Sequence, residues 1–227
     1  MFSIKFPYLT VEFISNLGND WNSKVWLPSF HEFFDSCDCQ LDVSINNKRI
    51  TLPDNVVAGY IVGYTLKNIN NAFCLLLLKG EVTVIFNRPD YLKMKLASDK
   101  ILFTNEKIRR PELQMAIKDE PTDLFQAVEE VLRVKKEYKK ICIDVAKAIK
   151  PNDIDEFMSN IIVERDYNES YIQPDEQSYY WINLFDVWSD YKKQHNITDE
   201  DVKRAIAEEE EKDELLRKKK RKWWKFS

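Results

Sequence analysis

The stretch from Thr122 to Lys150, TDLFQAVEEVLRVKKEYKKICIDVAKAIK, constrains the fold more than any other part of the chain. Leu124, Val128, Val131, Tyr138, Cys142, Val145 and Ile149 recur on a 4-3-4-3 spacing that only Lys135 interrupts. Such spacing gathers side chains on one face of a helix. Thr122, between Pro121 and the acidic Asp123, reads as the start, and Pro151 as the stop. An amphipathic helix of this length needs an apolar surface to lie on. The residues before it read mainly as strands and those after it as helices, which predicts an α+β fold.

Before the helix, residues 1–15 alternate around Ile4, Phe6, Tyr8, Val11 and Phe13, a strand pattern broken at Pro7. Residues 39–52 read as a hairpin turning at Asn46-Asn47-Lys48, with Leu41, Val43 and Ile45 on one face. Residues 55–67 fit either a strand or a helix. Ala72–Leu78 is apolar throughout, and with Lys79-Gly80 and EVTVIFN it reads as two strands about a tight turn, the first at the sheet centre. YLKMKLA and DKILFT predict two further strands, and 105–121 a charged connection. The expected sheet therefore occupies residues 1–104 and is mostly antiparallel.

After the helix, Ile154, Phe157 and Ile161 predict a short helix over Asn152–Arg165. Trp181, Leu184, Phe185, Trp188 and Tyr191 predict another within Asp175–Gln194, with the aromatic stripe serving as core rather than as a ligand platform. A last helix starts at Thr198, which with Asp201 forms a capping box. The reading is one α+β domain over 1–197, with helices across 122–194, followed by a charged helical tail, 198–227.

That tail is the most distinctive candidate site. Residues 199–227 hold nine acidic and ten basic side chains, the acids leading and the bases ending the chain. Arg217, Lys218, Lys219, Lys220, Arg221 and Lys222 would contact phosphates, and Trp223 and Trp224 would stack on bases or bury in a partner. The plainer reading is a solvated helix. Acid toward its start and base toward its end suit the helix dipole, and Asp213–Arg217 and Glu214–Lys218 are favourable i,i+4 pairs. That reading explains the charges better than the two tryptophans.

Other motifs carry less. His31, Cys37 and Cys39 are the one metal-like cluster, but Cys-x-Cys with no second pair departs from the Cys-x₂-Cys spacing by which two thiolates reach one zinc ion. Pro53-Asp54, Pro89-Asp90 and Pro174-Asp175 suit turns. A metal-dependent nuclease would need a second acid and a lysine beside one of them, and Glu137-x-Lys139 lies on the central helix instead. Four glycines in 227 residues weigh against phosphate-cradling loops, and a net charge of −4 weighs against a surface built entirely for nucleic acid.

Cys74 and Cys142 read as buried small hydrophobes, so the chain is expected to be reduced and cytoplasmic. In a nucleated host the basic run would also serve as a nuclear address. The longest apolar run, Ala72–Leu78, is far short of the roughly 20 residues that span a bilayer, so no membrane span is expected. No catalytic residue, metal or cofactor is assigned. By elimination, the leading expectation is a non-enzymatic protein-interaction module of the inhibitor, immunity or accessory type, with an unidentified protein partner. Two alternatives stand beside it: a nucleic-acid-associated accessory protein acting through the tail, and a divergent carboxylate–metal hydrolase.

Overall fold

In the computed structural model, residues 1–5, 42–50, 62–87, 90–106, 116–149, 164–165 and 181–223 are described. Readings that fall elsewhere, including residues 6–15, most of Asn152–Arg165 and the cluster of His31, Cys37 and Cys39, lie outside them. The described parts are α+β, as expected. Strands β1 (Phe2–Lys5), β2 (Asp42–Ile45) and β3 (Lys48–Arg49) form one antiparallel sheet in that order. Helix α1 (Val62–Lys79) follows. A second antiparallel sheet is built in sequence order from β4 (Glu81–Asn87), β5 (Asp90–Ala97), β6 (Lys100–Glu106) and β7 (Glu120–Asp123). Helix α2 (Leu124–Ile149) comes next, then a two-stranded parallel pair, β8 (Glu164–Arg165) with β9 (Trp181–Ile182). Helices α3 (Leu184–His195) and α4 (Asp199–Trp223) end the described chain.

The hairpin β2–β3 turns on Asn46 and Asn47, both at positive φ (50° and 64°). Asparagine tolerates this region, and a turn of that hand matches the twist of the flanking strands. Alternation then buries Val43 and Ile45 and leaves Asp42 and Ser44 on the other side. On β5 and β6 the same rule sends Leu92, Met94, Ile101 and Phe103 inward.

Five expectations need correction. Ala72–Leu78 is not a strand but the last two turns of α1. An unbroken apolar run has no period, so it fits a buried helix as well as a buried strand. Gly80, at φ +78°, is therefore a helix terminator rather than a hairpin turn, its N–H donating to the Leu76 carbonyl at 2.8 Å. Thr122 does not start the long helix. It is buried in β7, and Asp123 supplies the cap, its Oδ1 accepting the Gln126 N–H at 2.9 Å. Glu164 and Arg165 belong to a strand rather than to the end of a helix, and Trp181 sits in their partner strand rather than on α3.

Phe2, Phe73 and Phe103 tie the two larger sheets to α1. The Phe2 ring stacks on Phe103 at 5.6 Å and tilts against Phe73 at 5.5 Å. All three are fully buried, and each such side chain contributes about 1.5–3 kcal/mol of apolar burial. Helix α2 lays Leu124, Val128, Val131 and Tyr138 into the same core. Lys135, the polar break in that stripe, runs its stem through the core margin and sets Nζ 6.0 Å from the Trp181 ring.

One polar edge of α2 completes β1. Among the described residues, that strand pairs with β2 on one side only. On its other side the Gln126 side chain accepts from Phe2 N–H and donates to Phe2 C=O, both at 2.8 Å. Glu130 accepts from Ile4 N–H at 3.0 Å, and Arg133 donates to Ile4 C=O at 3.4 Å. Helix side chains thus take the place of a neighbouring strand, and the edge is closed to pairing with other chains. No helix among the described residues is long and apolar enough to cross a membrane.

Candidate docking groove and the charged C-terminal helix

Two amides position α3. Asn71 Oδ1 accepts the Ile182 N–H at 2.9 Å, and Asn70 Nδ2 donates to the Ile182 carbonyl at 2.8 Å. This pins β9 to α1 immediately before α3 begins at Leu184. Leu184 and Trp188 are buried, and Trp188 Nε1 donates to Glu129 of α2 at 2.9 Å. Asn196, at φ 54°, ends the helix with its N–H on the Lys192 and Lys193 carbonyls. The predicted aromatic stripe therefore divides. Trp181 and Trp188 are core, Tyr191 is half-buried, and Phe185 is 64% exposed.

Anchored this way, α3 runs past the last turn of α1 and leaves a groove of about 290 Å³. Its floor is apolar: Leu77 and Leu78 from α1, Val187 and Tyr191 from α3. Leu78 remains 47% exposed. The exposed Asp186 and Asp190 form its rim, together with Asn183 and Gln194. Asp186 accepts from the neutral amide of Asn183, while Asp190 pairs with Lys193 at 3.1 Å, both side chains well exposed. Such surface pairs contribute little and exchange readily for another cation. Burial pushes the Tyr191 hydroxyl above its ordinary pKa.

The groove was not legible in the sequence. Its walls come from segments about a hundred residues apart, and the α1 wall reads as a strand.

Helix α4 carries the predicted tail. The capping box forms as expected: Asp201 Oδ2 accepts from Thr198 N–H at 3.0 Å, and Thr198 Oγ1 accepts from Asp201 N–H at 3.2 Å. Val202 is buried and Ile206 packs on the core, so the first turns are docked. Farther along, Asp213 accepts from Asn47 of the hairpin at 3.3 Å. The two i,i+4 pairs are present, Arg217–Asp213 at 2.8 Å and Lys218–Glu214 at 2.7 Å. Arg217, Lys218 and Lys219 are exposed, as are Leu215 and Leu216. The helix backbone continues through Lys220, Arg221, Lys222 and Trp223, and Trp224 lies outside the described residues. Among the described residues, no three His, Cys, Asp or Glu side chains converge as a metal site requires. Glu137, of the Glu-x-Lys match, instead pairs with Arg133 on the surface of α2.

Comparison with family models, with curated proteins and with solved structures yields no match.

Proposed function

We propose that the protein is a non-enzymatic interaction module whose docking surface is the groove between α1 and α3. The observation that carries this reading is the uncovered apolar floor at Leu78, bordered by Asp186 and Asp190. An apolar side chain flanked by lysine or arginine suits that combination, because the floor removes apolar area from water while the rim receives the cation. Interfaces draw their energy from a few anchors seated in such pockets.

A photo-crosslinking residue in place of Leu78 tests the reading in cells. Lys95, exposed on β5, is the control position. The expected result is a discrete adduct from position 78, absent from position 95 and suppressed by Asp186→Lys with Asp190→Lys. Equal labelling at both positions, or none at 78, would sink the reading.

A second reading, nucleic-acid binding through the tail, is favoured by the exposed Arg217, Lys218 and Lys219 at the end of α4. It predicts oligonucleotide binding that falls steeply with salt and is lost in Lys218→Glu with Lys219→Glu. Charge reversal is the cleaner test than removal of the tail, since cutting at residue 197 would also strip Val202 from the core. The hydrolase alternative draws support from no feature of the described residues.

A further inference from the structure

We propose that the groove of one molecule receives the basic, tryptophan-bearing end of a second copy, residues 217–227, so that the protein associates head to tail. This deepens the reading of the groove as a docking surface and rests on it.

The first argument is charge. All 38 acidic residues precede Arg217, whereas seven of the 34 basic residues lie in 217–227. Residues 1–216 therefore carry a formal −11 and the last eleven residues +7. A tail of that sign is drawn to the acidic body of another copy. The same body repels a polyanion, which disfavours nucleic acid as the occupant.

The second argument is apolar chemistry. Charge alone would let the tail settle on any acidic surface, but Trp223, Trp224 and Phe226 also require cover from water. At the groove, carboxylates and an exposed apolar side chain occur together: Asp186 and Asp190 line it with Leu78, which is backed by the buried Leu77 and the half-buried Val187. Aromatic side chains gain most from such a seat, and the neighbouring lysines meet the rim.

The third argument is reach. Asp199, the first residue of α4, pairs with Lys192 near the end of α3 at 2.6 Å. From there α4 runs 25 residues, which carries its end roughly 36 Å away at 1.5 Å per residue. Arg217–Trp223, at the far end of that helix, therefore lie away from Tyr191 and Asp190 in their own chain and are presented to another. Groove and tail are different surfaces, so the contact is heterologous, and it builds a ring or an open chain according to whether the rotation closes.

Sedimentation velocity on the full-length chain tests this across a concentration and salt series. The average mass is expected to rise with concentration and to fall with salt. A groove variant, Leu78→Asp with Asp186→Lys, and a tail variant, Trp223→Ser with Trp224→Ser, are each expected to weaken association about tenfold or more, the loss that follows removal of a packed anchor. Leu78 and Asp186 are exposed, and circular dichroism checks the folding of both variants. Mixed together, each variant supplies one intact half, so the expected product is a one-to-one dimer that grows no further.

A full-length chain that stays monomeric at low salt and at its highest soluble concentration overturns the proposal. So does association that neither variant weakens. If the monomer still crosslinks a different protein from position 78, the docking surface stands and only the self-partner is lost. If position 78 labels nothing, both readings fall. Oligonucleotide binding that the tail variant loses and the groove variant keeps, with no change in mass, assigns the tail to phosphate and overturns the proposal.

Discussion

The side-chain amide of Gln126 holds the backbone of Phe2 at both its N–H and its C=O, each at 2.8 Å. The pair is buried and spans 124 positions of sequence. Gln126→Leu would leave two buried backbone groups without partners, at a cost of about 1–3 kcal/mol each. The expected loss is about 2–4 kcal/mol in urea unfolding, with the slope unchanged. Gln126→Glu separates the two bonds. The introduced carboxylate still accepts from Phe2 N–H but faces the Phe2 carbonyl oxygen without a proton to donate. Its pKa in the folded state is therefore raised, so the variant is weakest at neutral pH and recovers as pH falls through that pKa.

Gly80 reports whether α1 ends where the structure ends it. Its φ of +78° is unfavourable for any residue with a Cβ, and a Cβ placed there meets nothing within 4 Å. Gly80→Ala is therefore expected to cost about 1–2 kcal/mol from backbone conformation alone, with no steric clash to relieve. Gly80→Asn should cost less, since asparagine visits this region more easily. Equal losses for the two, measured by thermal or urea unfolding, would contradict this account.

Leu76 and Leu78 separate helix from strand directly. In a strand they share a face, and truncating either would have a similar effect. In α1, Leu76 is fully buried while Leu78 is 47% exposed. Leu76→Ala is expected to destabilise by about 2–5 kcal/mol and Leu78→Ala by no more than about 0.5 kcal/mol. Comparable losses would restore the strand.

The same contrast explains what the sequence could and could not convey. The α2 stripe from Leu124 to Tyr138 was legible because polar residues alternate with it and give it a period. The turn at Asn46-Asn47 was legible because few residues accept positive φ. Ala72–Leu78 carries no period, so its geometry depends on what covers it. Trp181 happens to fall at helical spacing from Leu184 and Trp188, yet Asn70 and Asn71, over a hundred residues away, hold the adjacent Ile182 in a strand. Gln126, Glu130 and Arg133 read as an ordinary polar face, and only the fold brings β1 against them. The basic tail was visible as a pattern, while its proposed seat was not, because each wall of the groove looks unremarkable until α3 is set beside α1.

Helix α4 should be sensitive to acid, and the sign follows from its carboxylates. Hydrogen bonds from the Thr198 hydroxyl and backbone hold Asp201 below its ordinary pKa. The Lys192 ammonium does the same for Asp199, and Lys218 for Glu214. A carboxylate whose pKa is lowered on folding stabilises the fold above its unfolded value, and that contribution disappears as pH falls through the folded value. The helix should therefore lose ellipticity at 222 nm below the ordinary carboxylate range, and sooner at high salt, since these groups are exposed. Asp201→Asn removes one titrating group and the negative charge that strengthens the bond from the Thr198 N–H, leaving only a neutral amide oxygen to accept it. It should lower helicity at neutral pH and flatten the acid transition. Thr198→Ala, which removes the reciprocal acceptor, should cost about 1 kcal/mol and leave Asp201 with a smaller shift. An acid transition of the same depth and midpoint in all three proteins would place the sensitivity elsewhere in the molecule.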